Sequence, residues 1–162
     1  MNRCQSIRKE EDFGTKVYSS GTNDKQKNTS GLTALVVDDS PIVLTFAAAM
    51  LGQLGYNVHM AGEGVEALFY LKDSHCQLVL TDYQMPAING FQLGQKVKSL
   101  FPGTRVVIMT GLSPAEMAGM MSDHIIDAWL FKPFRIQELE RTLARIRLPG
   151  RPAIYPNRPD DL

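Results

Sequence analysis

Five short apolar runs, separated by segments with helical spacing, constrain what this chain of 162 residues can fold into. Apolar runs that do not alternate with polar residues are typical of strands buried on both faces of a parallel sheet. Strand followed by helix, repeated along the chain, predicts an α/β fold: a doubly wound five-stranded parallel sheet with helices on both faces. The predicted strands cover residues 34–37, 58–61, 78–81, 106–110 and 128–131.

The segments between the runs carry the helical pattern. Ser40 and Pro41 are typical of a helix start, and Gly55 of a helix end. The fourth segment, 113–121, has little apolar periodicity, and its methionines suit either core packing or a partner surface. Apolar residues recur at helical spacing in the other four segments: Val43, Phe46, Ala47, Met50 and Leu54; Val65, Leu68 and Phe69; Leu93, Val97 and Leu100; Ile136, Leu139, Leu143 and Ile146.

Polar side chains stand where four of the predicted strands end. Asp38 and Asp39 follow the first run, and Asp82 follows the third. Thr110 ends the fourth run, and Lys132 follows the fifth. Open α/β sheets bind ligands at the carboxyl ends of their strands. The sequence therefore predicts one site in which a hydroxyl and an ammonium meet three carboxylates.

The charges of this site limit its chemistry. Two carboxylates about 4 Å apart repel by roughly 4 kcal/mol at an effective dielectric of about 20, so three together require a cation. Magnesium suits such a site because it binds carboxylate oxygens, retains water ligands and accepts phosphate oxygens. Lys132 and Thr110 can donate hydrogen bonds to a phosphoryl group. This combination indicates phosphoryl transfer onto a carboxylate.

The runs VVDDSP, TDYQMPAING, VIMTG and AWLFKPF resemble the receiver domain of two-component response regulators, the CheY-like family, in order, spacing and context. The resemblance covers residues 32–148. It implies a flavodoxin-like sheet with strand order 2-1-3-4-5. It also implies a cis peptide bond before Pro133, which directs Lys132 into the site.

The resemblance assigns roles to the site residues by position. Asp82 is the phosphoacceptor, and Lys132 binds the phosphoryl group. Magnesium is expected to be held by Asp82, Asp39, Asp38 (directly or through water) and the backbone carbonyl of Gln84. Thr110 and Trp129 are the expected switch pair. Because an indole is larger than a phenol ring, we expect the Trp129 ring to point mostly outward at rest.

The resemblance also implies a signalling function. A sensor histidine kinase or a histidine phosphotransfer protein donates the phosphoryl group, and the modified domain changes its binding surface for an output protein. That surface is expected on the fourth helix, the fifth strand and the fifth helix. The chain is then no enzyme beyond catalysing its own phosphorylation and hydrolysis. Gln84 and Leu112 are expected to set the lifetime of the phosphorylated state.

The two ends of the chain are predicted to be unstructured and to carry no targeting signal. Residues 1–31 are polar and lack an apolar period, which predicts disorder, and the Pro-rich residues 149–162 are expected to be flexible. We expect no signal peptide, no membrane span and a stand-alone receiver. The formal net charge of zero gives no general attraction to nucleic acid. The isolated Cys4 and Cys76 are expected to be free thiols in the cytoplasm.

Three other functions would require different residues at these positions. A haloacid dehalogenase-type phosphatase needs a second carboxylate two residues after the nucleophile, where this chain has Gln84. A flavin carrier needs a phosphate loop in place of Asp38 and Asp39. A pseudo-receiver, which binds proteins without phosphorylation, remains the alternative, although it is expected to have lost residues such as Asp82. One departure from the family is Ile125 and Ile126, in place of a small Gly-Ala pair, which predicts different packing before the fifth strand.

Overall fold

A computed structural model describes residues 31–121, 125–146 and 148 of the chain. Each predicted strand is present, and its bounds agree with the prediction to within one residue. The predicted tails lie outside the described residues, apart from Gly31. The elements, in chain order, are β1 Thr33–Val37, α1 Pro41–Gln53, β2 Asn57–Ala61, α2 Gly64–Asp73, β3 Leu78–Asp82, α3 Gly90–Leu100, β4 Arg105–Thr110, α4 Pro114–Met121, β5 Ala128–Phe131 and α5 Ile136–Arg145.

The strands form one parallel sheet in the order β2-β1-β3-β4-β5. The predicted fold and strand order are therefore confirmed. The chain reverses its direction of travel across the sheet between β1 and β3, so the carboxyl ends of these two strands border a crevice. Asp38 follows β1 and Asp82 ends β3 at this crevice.

Two apolar layers cover the sheet, one on each face. Side chains alternate along each strand, so neighbouring residues enter opposite layers. Val36 packs in the layer that contains Ala47 of α1 and Leu139 of α5. Leu35 packs in the opposite layer, with Ala67 of α2 and with residues of α3. This double burial explains why the strand sequences are continuously apolar.

Several apolar residues in the helical pattern are exposed rather than buried. In α1, Ala47, Met50 and Leu51 are buried, while Phe46 is 57% exposed. In α2, Ala67 and Leu71 are buried in the core, whereas Val65 and Phe69 are exposed. Leu100 at the end of α3 is exposed as well. Because α1 contains no charged residue, its sequence does not indicate which face packs on the sheet.

The helices begin and end close to the predicted residues, but the predicted cap of α1 makes no side-chain hydrogen bond. Ser40 is the N-cap of α1, but its side chain makes no capping hydrogen bond. Gly55 follows the C-cap residue Leu54 and has a φ of 87°, a conformation that glycine adopts without strain. The fourth helix begins at Pro114, one residue after the predicted start. None of the helices in the described ranges is long and apolar enough to cross a membrane.

The segment before β5 packs a large side chain against a glycine of α3. Ile126 is buried, and its Cδ1 occupies the space above Gly94 of α3, where any Cβ would collide with it. Asp127 pairs with Lys98 of α3 and, at 2.9 Å, with Arg105 of β4. The large residue before β5 is therefore accommodated by a glycine on the facing helix, and charges hold the strand start in place.

Candidate functional site

Two carboxylates and one ammonium form the centre of the site at the carboxyl edge of the sheet. Lys132 Nζ donates to Asp82 Oδ1 at 2.6 Å and to Asp38 Oδ2 at 2.9 Å. Asp38 is 2% exposed and Asp82 is 7% exposed. The three residues follow or end β1, β3 and β5, so the sheet itself sets their spacing. Lys132 thus neutralises part of the repulsion between two buried carboxylates.

The second oxygen of each carboxylate accepts a backbone hydrogen bond. Asp38 Oδ1 accepts from the Ser40 N–H at 2.9 Å, and Asp82 Oδ2 accepts from the Gln84 N–H at 2.7 Å. All four carboxylate oxygens therefore have a donor, which fixes the orientation of both groups. Carboxylates that receive such charge-assisted and backbone bonds are held more rigidly than by one contact alone.

The protonation of Lys132 reflects two opposing effects. Burial by itself would lower the pKa of the Lys132 ammonium, because a charged group loses water. Hydrogen bonds and charge attraction from Asp82 and Asp38 outweigh burial and raise that pKa above its usual value. Lys132 therefore carries its positive charge at neutral pH.

Asp39 occupies a different position from the other two acids. Asp39 is exposed, whereas Asp38 is buried. Within the described ranges, no group of three carboxylate, thiol or imidazole side chains is arranged to hold a metal ion. The structure therefore brings two of the three predicted carboxylates, Asp38 and Asp82, together through Lys132, and Asp39 is exposed.

The donor set nevertheless fits a divalent cation. Asp38, Asp39 and Asp82 bring three negative charges to this edge, and Lys132 returns one positive charge. The remaining charge of about minus two, on oxygen donors alone, is what magnesium balances. Gln84 is exposed next to this edge, with its N–H bound to Asp82.

Thr110 and the bond before Pro133 agree with the sequence expectations. Thr110 ends β4 and is fully buried, and its Oγ1 accepts a hydrogen bond from the Leu112 N–H at 3.1 Å. Its carbonyl accepts from the Lys132 N–H at 2.7 Å, which ties the two strand ends together. The peptide bond between Lys132 and Pro133 is cis, as predicted.

Trp129 is not in the predicted orientation. The ring is partly buried rather than pointing mostly outward, and it packs on the layer that contains α2 and α3. It stacks on Phe91 of α3, with 6.5 Å between ring centroids, and lies 6.3 Å from the ring of Tyr83. A tryptophan here gains apolar contacts that a smaller ring would not reach, which favours the packed position.

Three residues of the site region were not singled out from the sequence. Tyr83 and Phe91 form the aromatic surroundings of Trp129, and no local pattern indicates that these three rings meet. Gly90 begins α3 directly under the site, where a Cβ would collide with the backbone oxygen of Asp82. Its N–H donates to the Tyr83 carbonyl at 3.0 Å. The run PAING contained the signal for this close approach, because glycine permits it.

Comparison with known proteins gives the family. The profile of the response regulator receiver domain matches residues 34–144. The chain belongs to the response regulator receiver family. The receiver is 35% identical over 118 residues to the Autoinducer 1 sensor kinase/phosphatase LuxN of Vibrio harveyi, covering 73% of this chain and 14% of LuxN. It thus spans about one seventh of the length of that relative.

Solved receiver structures have the same fold. Chemotaxis protein CheY4 of Vibrio cholerae matches with a TM-score of 0.64 and 28% identity, covering 72% of this chain and 99% of CheY4. TrrA of Thermotoga maritima, whose structure contains Mg(2+)-BeF, matches with a TM-score of 0.64 and 25% identity, covering 70% of this chain and 97% of TrrA. This domain therefore belongs to the receiver domains of two-component systems, a family of phosphorylation-based signalling modules.

Proposed function

We propose that this receiver accepts a phosphoryl group on Asp82 from a sensor histidine kinase or a histidine phosphotransfer protein, with magnesium bound. The observation that supports this most directly is the position of Lys132, whose ammonium bridges Asp82 and Asp38 in a largely buried site. An ordinary structural ion pair would need only one acid. Two acids with one lysine leave a negative charge, which a bound cation would balance before an anionic phosphoryl group arrives.

The proposed transfer uses the groups in their observed places. A carboxylate oxygen of Asp82 attacks the phosphorus of the donor phosphohistidine. The phosphorus–nitrogen bond breaks, and its electron pair returns to the imidazole. Lys132 attracts the phosphoryl oxygens and reduces their repulsion from Asp38. Little other chemistry is required, because positioning and charge stabilisation dominate phosphoryl transfer.

Magnesium would be held by Asp39, by Asp82 and by the backbone carbonyl of Gln84, with Asp38 acting directly or through water. When bound, it would neutralise charge on the carboxylates and on the phosphoryl oxygens. Asp38 also positions Lys132 for Asp82, because the Lys132 ammonium contacts both carboxylates. Loss of magnesium is therefore expected to prevent transfer without unfolding the domain.

The donor protein would approach over the start of α1. This helix begins just after the acidic pair, contains no charged residue, and exposes Ile42 at 82% as well as Phe46. A cleft of about 320 Å³ runs between α1 and the segment after β5, and its lining includes Phe46 and Phe134. Exposed apolar side chains beside a reactive group are typical of a protein-binding surface. Such a donor implies a cytoplasmic location.

The proposed output is a change in the surface formed by α4, β5 and α5. Phosphorylation would draw the Thr110 hydroxyl toward the phosphoryl group and away from the Leu112 N–H that it now accepts from. Trp129 would then repack in the space beside β4. The output protein would bind the altered surface.

Phosphorylation with a small phosphodonor tests this proposal. Purified protein is incubated with acetyl phosphate and magnesium, and intact mass and acid stability of the product are measured. We expect one acid-labile phosphoryl group, which is absent from Asp82→Asn and from samples with a chelator. Full labelling of Asp82→Asn would assign the wrong acceptor. Absence of labelling in the native protein by both acetyl phosphate and a histidine phosphotransfer protein would favour the pseudo-receiver.

A further inference from the structure

Tyr83 connects the phosphoacceptor to α4. It lies between Asp82 and Gln84, and its hydroxyl donates to the sulfur of Met120 in α4 at 3.2 Å. Its own backbone is fixed at both ends, since its N–H donates to the Met109 carbonyl at 2.8 Å and its carbonyl accepts from Gly90. The side chain of Tyr83 therefore extends from a rigid strand end to a helix on the proposed output surface.

The loop that contains Tyr83 is also hydrogen-bonded to the side chain of Asp82. The Gln84 N–H donates to Asp82 Oδ2 at 2.7 Å. A change of charge or substituent on the Asp82 carboxylate therefore alters its hydrogen bond with Gln84. Tyr83 is the residue between these two partners. One end of this short segment is thus bonded to the phosphoacceptor, and its side chain is bonded to α4.

Among the described residues, one side chain of α4 is fully buried against the rest of the domain. Met117 is the single buried residue within α4. The hydrogen bonds at its start, between Ser113 and Glu116, are local to the helix end. Met117 and Met120 lie three residues apart, on the same side of the helix. The contact between Tyr83 and Met120 therefore adds a specific polar link to the packing of Met117.

We propose that Tyr83 is a positioning residue that couples the state of Asp82 to α4 through Met120, in addition to the switch pair of Thr110 and Trp129. The inference rests on the proposed function, because the signal it transmits is phosphorylation of Asp82. In the resting state the hydroxyl restrains α4 close to β3. When Asp82 is modified, the bond from Gln84 is exchanged, the loop shifts, and α4 is released from this restraint.

Two variants remove the contact from opposite sides. Tyr83→Phe deletes the hydroxyl and keeps the ring beside Trp129, while Met120→Leu deletes the sulfur and keeps an apolar side chain. Amide hydrogen exchange of the full chain, read by mass spectrometry on peptides from α4, reports the restraint. We expect each variant to speed exchange in α4 by about two- to tenfold, the range for loss of one ordinary hydrogen bond. The double variant should exchange no faster than either single variant.

Tyr70→Phe provides a matched control, because Tyr70 is also partly buried and its hydroxyl bonds to Ser74, away from α4. Its α4 exchange should equal that of the native protein. Unchanged exchange in Tyr83→Phe, or effects of the two variants that add, would overturn the proposal. Exchange at rest requires no phosphorylation, so this result is independent of the acceptor role of Asp82.

Beryllofluoride with magnesium supplies the second measurement. Binding to the native protein should speed α4 exchange, and the increment should be smaller in Tyr83→Phe. Beryllofluoride affinity should rise by about two- to tenfold in this variant, because binding no longer has to break the contact with Met120. An increment equal to the native one would show that α4 is released by another route and would refute the coupling. Lack of beryllofluoride binding by the native protein would contradict the proposed function instead.

Discussion

The side-chain nitrogen of Lys132 lies 2.6 Å from Oδ1 of Asp82, so the resting site holds its nucleophile in an ion pair. The same nitrogen contacts Asp38. A phosphoryl group that arrives at Asp82 therefore enters a site whose positive charge is already in place and shared between two acids. This arrangement leads to predictions for the resting state as well as for transfer.

Replacing Lys132 by Ala should destabilise the resting protein. Two largely buried carboxylates would lose their cation, and we expect a decrease of roughly 1–3 kcal/mol in the free energy of unfolding at neutral pH. Urea titration measures this, with Lys96→Ala, an exposed lysine, as control. The raised pKa of Lys132 sets the pH dependence: its stabilisation is complete below the unfolded value of about 10.4 and is lost as pH rises through the higher folded value. An equal stability of both variants would contradict the ion-pair role.

Replacing Asp39 by Asn should weaken magnesium binding with little effect on folding. Asp39 is exposed, so its loss should change stability by less than about 0.5 kcal/mol. Its carboxylate is one of the few ligands available to the ion, and we expect the dissociation constant to rise by about tenfold or more. Calorimetric magnesium titration measures the affinity, and Asp73→Asn is a control for an exposed acid in α2. Native affinity in Asp39→Asn would exclude it as a ligand.

Trp129 is the single tryptophan of the chain, so its fluorescence reports the switch. Beryllofluoride with magnesium should change its emission, because movement of Thr110 alters the space beside the packed ring. The change should disappear in Asp82→Ala and in Thr110→Ala. Thr45→Ala, on the exposed side of α1, should retain it. If confirmed binding produced no spectral change in the native protein, Trp129 would have no switch role, whereas the phosphoacceptor role would stand.

Replacing Phe46 by Ser should slow transfer from a protein donor but not from a small one. The proposed donor surface depends on apolar contacts beside the site, and burying an exposed phenylalanine contributes about 1–3 kcal/mol, or roughly five- to a hundredfold in rate. Labelling rates with a histidine phosphotransfer protein and with acetyl phosphate are compared. Leu100→Ser, an equally exposed apolar residue at the end of α3, is the control. Equal slowing with both donors would indicate damage to the site rather than to docking.

Cys76 should make the protein less stable in alkali. Burial raises the pKa of its thiol to about 11, while backbone hydrogen bonds with Leu78 and Leu35 partly oppose this. The thiol therefore stays protonated to a higher pH in the folded state than in the unfolded chain. The free energy of unfolding falls as pH rises from the unfolded pKa of about 9 to the folded value. The loss should be roughly 2 kcal/mol between about pH 8 and pH 11.

Urea titrations across that range in the native protein and in Cys76→Ala measure the contribution of the thiol. The alkaline loss should be smaller in the variant, whatever its stability at neutral pH. An identical slope in both proteins would show that the thiol ionises as freely when folded as when unfolded.

The sequence by itself determined the sheet and the identity of the chemical groups. Short continuous apolar runs between helical segments are typical of strands covered on both faces, and the end of each run placed Asp38, Asp82, Thr110 and Lys132 at one edge. These features depend on local spacing and on the geometry of parallel strands, which is why the strand bounds agree to within one residue.

Only the tertiary structure decided which of these groups touch and which surfaces remain exposed. Whether Lys132 pairs with two acids, and whether Asp39 stands apart, depends on side-chain directions set by several strands at once. The exposure of Phe46 could not be predicted, because α1 is apolar on every side. The contact of Tyr83 with Met120 joins residues 37 positions apart. It depends on how α4 packs, which no local pattern encodes.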